Sequence, residues 1–126
     1  MTKDIIDFSK LLKAQATFER FRQNMVDDRD QVGAIHAFKF CYELALKMMK
    51  HILATQGVEA NAPKDVFRKA ALEKLIDNPE IWFDFLDKRY LTSYTYEQEN
   101  VDAIVAVFDS FSSELDKVIK RIQIPI

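Results

Sequence analysis

Hydrophobic positions recur along nearly the whole chain at spacings of three and four, the signature of helices that bury one face. From about Asp4 to Met25, Ile5, Phe8, Leu11 or Leu12, Phe18, Phe21 and Met25 keep that spacing, with charged residues between them. Thr2 or Asp4 is placed to cap the start of this first helix. Asp27-Asp28-Arg29-Asp30 reads as a polar break whose acidic residues precede a second helix and suit the positive end of its dipole. That second helix, Val32 to Gln56, carries the clearest stripe: Ile35, Phe38, Tyr42, Ala45, Met49 and Ile52. Ala34, Ala37, Cys41, Leu44 and Met48 widen it on one side, so it should touch two or more neighbours. Gly57 stands where a helix-ending glycine belongs.

Asn61-Ala62-Pro63-Lys64-Asp65 opens a shorter third helix, with Pro63 in its first turn and Val66, Phe67, Ala70, Ala71, Leu75 and Ile76 on its buried side. Asp77-Asn78-Pro79-Glu80 repeats the start signal, with Asn78 as cap and Pro79 at the first helical position. A short fourth helix then runs from Pro79 to about Arg89, carrying Ile81, Trp82, Phe85 and Leu86. The last helix spans about Glu97 to Gln123, where Val101, Ile104, Phe108, Phe111, Leu115, Val118 and Ile122 alternate without a break. Three long and two short helices on short polar links predict an all-α, antiparallel up-and-down bundle of the four-helix type with a short extra helix.

Composition agrees with that reading. The chain has 126 residues, the size of one domain, and only two glycines and three prolines, too few for the many tight turns of an all-β fold. A net charge of −2 gives no general nucleic-acid surface, though a local basic pocket remains open. The single cysteine, Cys41, has no partner for an internal disulfide and reads as a buried small hydrophobe in a reducing, cytoplasmic protein. No apolar run has the length to span a bilayer, and Lys3, Asp4 and Asp7 interrupt any signal-peptide pattern.

Most familiar chemistries lack support. His36 and His51 lie fifteen positions apart with no Cys or carboxylate at ligand spacing, so neither a metal nor a cofactor is expected, and both read as solvated helix-face residues. No glycine-rich phosphate loop and no local catalytic triad is present. Lys47, Lys50 and His51 form a basic edge, and Glu43 with Lys47 makes an i,i+4 pair in the favourable order. That pair, if partly buried, shapes a polar pocket instead. Trp82 reads as core or interface.

One stretch differs. Asp87 to Tyr96 packs three tyrosines, two threonines, a serine and Arg89 into ten residues between two helices. A cation suits the C-terminal end of a helix, and an arginine there also forks onto phosphate. Thr92, Ser93, Tyr94, Thr95 and Tyr96 precede the last helix, whose free N–H groups attract anions. On residue chemistry alone, helix capping by Ser93 or Thr95 ranks above a phosphate site.

These residues resemble the nucleotidyltransferase substrate-binding proteins of the HEPN superfamily, partners of a minimal nucleotidyltransferase. The resemblance covers about Ile35 to Leu115 and rests on Phe38-Lys39-Phe40-Cys41-Tyr42-Glu43-Leu44-Ala45-Leu46-Lys47, Gln56-Gly57-Val58, Leu75-Ile76-Asp77, Ile81-Trp82 and above all Arg89-Tyr90-Leu91-Thr92-Ser93-Tyr94-Thr95-Tyr96. It implies a HEPN-like bundle that forms a homodimer. In the family's ribonuclease toxins an arginine is followed after four to six residues by a histidine, commonly with a polar residue just after the arginine. In some toxin–antitoxin pairs a tyrosine two positions beyond that histidine is adenylylated by the partner.

Here Arg89 matches the arginine and Tyr96 the modifiable tyrosine, while Tyr94 stands in the histidine's place and Tyr90 at the polar position. Imidazole titrates near neutrality and a phenol ordinarily near pH 10, so the substitution removes the base that RNA cleavage needs. The resemblance therefore implies a non-catalytic subunit that dimerises and pairs with a minimal nucleotidyltransferase. Arg89, Thr92, Ser93, Tyr94, Glu43 and Lys47 are its expected contacts for partner, nucleotide or RNA phosphate, and Tyr96 its candidate for modification. The alternative is a metal-independent ribonuclease toxin using Arg89 with Tyr94.

Overall fold

A computed structural model describes residues 8–123. Among these residues there are six α-helices and no strand. In chain order they are α1 (Ser9–Arg22), α2 (Asp28–Thr55), α3 (Pro63–Leu72), α4 (Pro79–Leu91), α5 (Gln98–Val105) and α6 (Phe108–Gln123). The expected all-α bundle is therefore present, with its boundaries moved for identifiable reasons.

The expected start of α1 at Asp4 and its caps Thr2 and Asp4 lie outside the described residues. At the other end α1 stops at Arg22, so Met25 belongs to the connection. The second helix begins at Asp28, ahead of its apolar stripe. Asp27 accepts from the Asp30 N–H at 2.9 Å, and the Asp30 carboxylate accepts in return from the Asp27 and Val26 N–H groups. What reads as a polar break is a capping box, two carboxylates satisfying orphan donors at the positive helix end.

α2 ends as expected. Gly57 adopts φ +78°, its N–H bonds the Ala54 carbonyl, and the Val58 N–H bonds that of Leu53. α3 ends in the same way without a glycine: Lys74 takes φ +66°, and the Lys74 and Leu75 N–H groups bond the Ala71 and Ala70 carbonyls. Leu75 and Ile76 are thus buried from the exit of α3 and not from its helical face, because the left-handed turn folds the chain back onto the core. Asn78 caps α4 by accepting from the Glu80 N–H at 2.9 Å, with Pro79 at the first helical position.

The long final helix is two. α5 ends at Val105, the Val107 N–H reaches back only to Ile104, and the α-helical pattern resumes with the Phe111 N–H on Val107. Neither Pro nor Gly marks the break. A tight turn advances the chain by about 120° per residue against about 100°, so it leaves the apolar spacing nearly in phase and hides in the sequence. Its effect is on packing. Phe108 and Phe111 both meet Phe18 edge-on, at 5.1 and 5.4 Å.

The core explains the many phenylalanines. Phe111 is fully buried and packs on Phe38, Phe85 and Trp82 as well as Phe18, mostly edge to face, the arrangement aromatic quadrupoles favour. α1 lies along α2, α3 pairs with α4, and both α4 and α5 pack on α2. α2 is the central element, as the width of its stripe demands. Among the described residues, no helix is long and apolar enough to cross a membrane.

Candidate functional site

The site is assembled where the C-terminal turn of α4 crosses the middle of α2. Trp82 and Phe85 anchor the inner face of α4 in the core, which brings Arg89, one further turn along, to the edge of the bundle against α2. There Arg89 donates through Nε to Glu43 Oε2 at 2.7 Å and through Nη2 to the same oxygen at 2.5 Å. Its Nη1 lies 3.4 Å from Thr92 Oγ1, and that hydroxyl donates to the Arg89 carbonyl at 2.6 Å. Thr92 thus closes the last turn of α4 and steadies the arginine that precedes it.

This arrangement corrects one expectation directly. Glu43 does not pair with Lys47 along its own helix; the interhelix arginine takes it, because a guanidinium offers two parallel donors where an ammonium is a point charge. Lys47 is consequently left with no carboxylate partner among the described residues, and Lys50, two turns from Glu43, has none either. They line a cleft of about 400 Å³ with Phe40, Glu43, Leu44, Leu46 and Asn61. A guanidinium also carries more N–H donors than these contacts use, so one on each terminal nitrogen stays open to an outside acceptor.

Beneath the pair lies Tyr42, only 2% exposed, whose hydroxyl has no hydrogen-bond partner. Burial raises its pKa well above the usual phenol range; Arg89 opposes the shift, and Glu43 and Asp87 add to it. The sequence stripe marked Tyr42 only as core, and nothing in its spacing announced its place under the ion pair.

The tyrosines stand on the segment between α4 and α5. Tyr94 and Tyr96 meet edge to face at 6.1 Å, with Tyr94 half exposed and Tyr96 78% exposed, and Tyr90 is open on the last turn of α4. Among the described residues no cation–π contact joins Arg89 to either ring. Successive turns close the segment, from the Ser93 N–H to the Tyr90 carbonyl, Tyr94 to Leu91, and Glu97 to Tyr94. Neither Ser93 nor Thr95 caps α5: its N-cap is Glu97, which makes no side-chain cap bond. Asn100 does the fastening, donating from Nδ2 to the Tyr94 carbonyl at 3.0 Å, a role its sequence position did not signal.

The remaining sequence candidates fall into place as structure. His36 and His51 are exposed, and His36 packs edge-on against Phe40 at 4.6 Å. Cys41 is buried, and burial, with a smaller contribution from Glu19, pushes its thiol up to about 12. Trp82 is core, fully buried, with its indole N–H unpartnered. Among the described residues no group of three His, Cys, Asp or Glu side chains is placed to hold a metal ion.

Comparison with known proteins agrees with the fold. The crystal structure of ttk003001694 from Thermus thermophilus shares the fold, with a TM-score of 0.85 at 24% identity, covering 90% of this chain and 99% of that one. HI0074 from Haemophilus influenzae, described as the fold of a substrate binding domain of a nucleotidyltransferase, superposes with a TM-score of 0.83 at 30% identity, over 94% of this chain and 100% of its own. A probable ribonuclease HepT from Haemophilus influenzae is 36% identical over 105 residues, 79% of this chain and 72% of that protein. The family model described as nucleotidyltransferase substrate binding protein like matches residues 6–124. With the helical bundle and this match in agreement, the chain belongs to the nucleotidyltransferase substrate-binding protein family.

Proposed function

We propose that this protein is the non-catalytic, substrate-binding half of a cytoplasmic two-component, toxin–antitoxin-like system. As a single HEPN-type domain it forms a homodimer and pairs with a minimal nucleotidyltransferase. The observation that carries this reading is Arg89: held by Glu43 and Thr92, yet with N–H donors open at the bundle edge, on the junction that also carries three exposed tyrosines. A guanidinium so placed seats a phosphate on its free fork, and a phenol beside it is an acceptor for a nucleotidyl group. Tyr96, the most exposed ring of the junction, is the hydroxyl that attacks the α-phosphate of ATP held by the partner, with pyrophosphate leaving. Ser93, Tyr94, Glu43 and Lys47 frame the contact. Likeness to HI0074 supports the pairing, since that protein is described as the substrate-binding domain of a nucleotidyltransferase.

The test is co-purification with a small nucleotidyltransferase followed by intact-mass measurement after adding ATP. The expected result is one AMP increment on the wild type, lost in Tyr96→Phe and reduced at least tenfold in Arg89→Ala. An unchanged mass in the presence of a bound, active partner would remove the modification, and absence of any bound partner would remove the pairing.

A second reading has one specific support, the relative named as a probable ribonuclease. In it, Arg89 and Tyr94 cleave RNA without a metal. Incubating the purified chain with RNA distinguishes the two readings: cleavage lost in Arg89→Ala and Tyr94→Phe favours the nuclease, and intact RNA favours the binding subunit.

A further inference from the structure

The connection between α1 and α2 carries a second cleft, which the proposed function does not use. It holds about 430 Å³ and is lined by Arg20, Phe21 and Asn24 on the α1 side and by Arg29, Asp30 and Gly33 on the α2 side. Among the described residues neither Arg20 nor Arg29 has a carboxylate partner, and both are exposed. The carboxylate nearest to hand, that of Asp30, is engaged by the backbone, accepting from the Val26 and Asp27 N–H groups at 2.9 and 3.4 Å. Arg20 lies over the Phe21 ring at 5.1 Å, a stack that leaves the edge of the guanidinium plane free to donate. Asn24 donates from Nδ2 to the Arg20 carbonyl at 2.6 Å, which fixes the amide and leaves its oxygen without a partner. Gly33 is the telling residue. It sits inside a helix, where glycine is weaker than alanine, and a Cβ there would meet the Phe21 ring at 3.5 Å, an ordinary contact. Packing therefore does not demand glycine at this position; what the missing side chain provides is open space in the cleft.

From these groups we infer a docking site for an acidic peptide segment: an apolar side chain of the peptide rests on Phe21 over Gly33, and its carboxylates take the forks of Arg20 and Arg29. A planar guanidinium meets a carboxylate through two parallel N–H bonds, and two of them without internal partners have that capacity to spare. The free oxygen of Asn24 accepts a backbone N–H, which a peptide has and a phosphodiester strand lacks. Charge favours a peptide as well. Asp27 and Asp28 stand exposed next to the arginines in sequence, so a strand with a charge on every phosphate runs onto like charge, whereas a peptide places its carboxylates singly. The chain's net charge of −2 adds no general attraction for a polyanion. The cleft shares no residue with the Arg89–Glu43 pair, and the inference does not rest on pairing with a nucleotidyltransferase.

The test is fluorescence anisotropy on the full chain with a labelled peptide, Glu-Glu-Trp-Glu-Glu, which is expected to bind saturably, one per chain. Arg20→Ala with Arg29→Ala should weaken binding by about tenfold or more, as truncation of anchoring arginines does. Lys64→Ala with Arg68→Ala removes the same charge from α3, where both cations lie over Phe83 at 5.4 and 5.2 Å, and should change binding by less than about twofold. Gly33→Leu fills the cleft without touching a charge and should weaken binding by about fivefold or more, as should replacing the peptide's tryptophan with alanine. Absence of saturable binding overturns the site, as does an equal loss in the two double variants or full binding by Gly33→Leu. An oligouridylate of the same charge that binds as tightly, and is lost in the same variants, puts a nucleic acid in the cleft and also overturns the inference. So does self-association in sedimentation that disappears with Arg20 and Arg29, which gives the cleft to a second copy of this chain. Both arginines are exposed, so unchanged thermal midpoints separate lost binding from lost folding. None of these outcomes requires a co-purifying enzyme, so this site and the proposed pairing fail separately.

Discussion

Among the described residues, Arg22 and Arg89 each join two helices, and they are wired differently. Arg22, at the end of α1, donates to Glu19 at 2.8 Å, to Asp109 on α6 at 2.6 Å and to Ser112 at 3.4 Å, and Ser112 in turn donates to Glu19. Every nitrogen of that guanidinium meets an acceptor, and its main carboxylate is bonded a second time. Arg89 meets one carboxylate oxygen and one distant hydroxyl, over a buried phenol that has no partner at all. Charge-assisted bonds to two carboxylates, one on each helix, tie α1 to α6, whereas a single carboxylate oxygen ties α4 to α2. The contrast teaches how to tell two arginines apart where charge, burial and the number of N–H groups in use are alike: count the acceptors that hold them, two carboxylates and a hydroxyl for Arg22 against one carboxylate oxygen and a hydroxyl for Arg89.

The strongest way to break the comparison is to remove the floor that both clusters share. Phe111 touches Phe18 toward Arg22 and Trp82 and Phe85 toward Arg89. Phe111→Ala is expected to cost about 3–5 kcal/mol in urea unfolding. A loss below about 2 kcal/mol would mean that the site collapses around the cavity and the two halves pack separately. Next comes the pair of arginine truncations. Arg22→Ala should destabilise by about 1–3 kcal/mol, since it takes the only cation from the part-buried Glu19 carboxylate and leaves it the neutral donors of Ser112 and Gln23. Arg89→Ala should cost about 1 kcal/mol or less, because Glu43 keeps access to water, while reducing partner-dependent modification at least tenfold. Equal stability losses would erase the distinction between the two arginines.

A smaller effect sharpens it. Ser112→Ala removes one hydroxyl from the Arg22 network and should cost about 1 kcal/mol. The least change at neutral pH belongs to Tyr42→Phe. Its hydroxyl has no partner to lose, so stability at pH 7 should move by less than about 1 kcal/mol, in either direction. The pH dependence is the sharper readout. Burial keeps the folded Tyr42 protonated above the usual phenol range, whereas the unfolded chain releases that proton near pH 10. The contribution is complete below about pH 10 and is lost as pH rises beyond it, so wild type should weaken faster than Tyr42→Phe in alkaline denaturation. Identical alkaline slopes would show that Tyr42 reaches water.

Much of this was readable from residue order. The stripe of α2, the Gly57 exit, the Asn78-Pro79 start and the buried character of Cys41 and Trp82 follow from local rules that the surroundings did not override. The misreadings share a cause. Asp27 and Asp30 look like a solvated break unless their reciprocal bonds are seen, Lys74 holds a turn that usually announces itself with glycine, and the Val105–Phe108 step preserves the apolar period that it interrupts. Of the site, Arg89 and the tyrosines were marked by their unusual chemistry, whereas Tyr42 and Asn100 were invisible because their roles depend on what lies opposite.

Residue order by itself determined that this chain would form helices, which face of each would be buried, and that Arg89, Tyr94 and Tyr96 would sit together at a helix junction, because period, caps and motif spacing are local properties. Only the tertiary structure decided that Glu43 would leave Lys47 for Arg89, that two lysines would go unpaired over a cleft, and that a phenol would be sealed beneath the pair. The physical reason is that an ion pair goes to the partner with the better geometry and desolvation, and for Glu43 that partner lies 46 positions away along the chain.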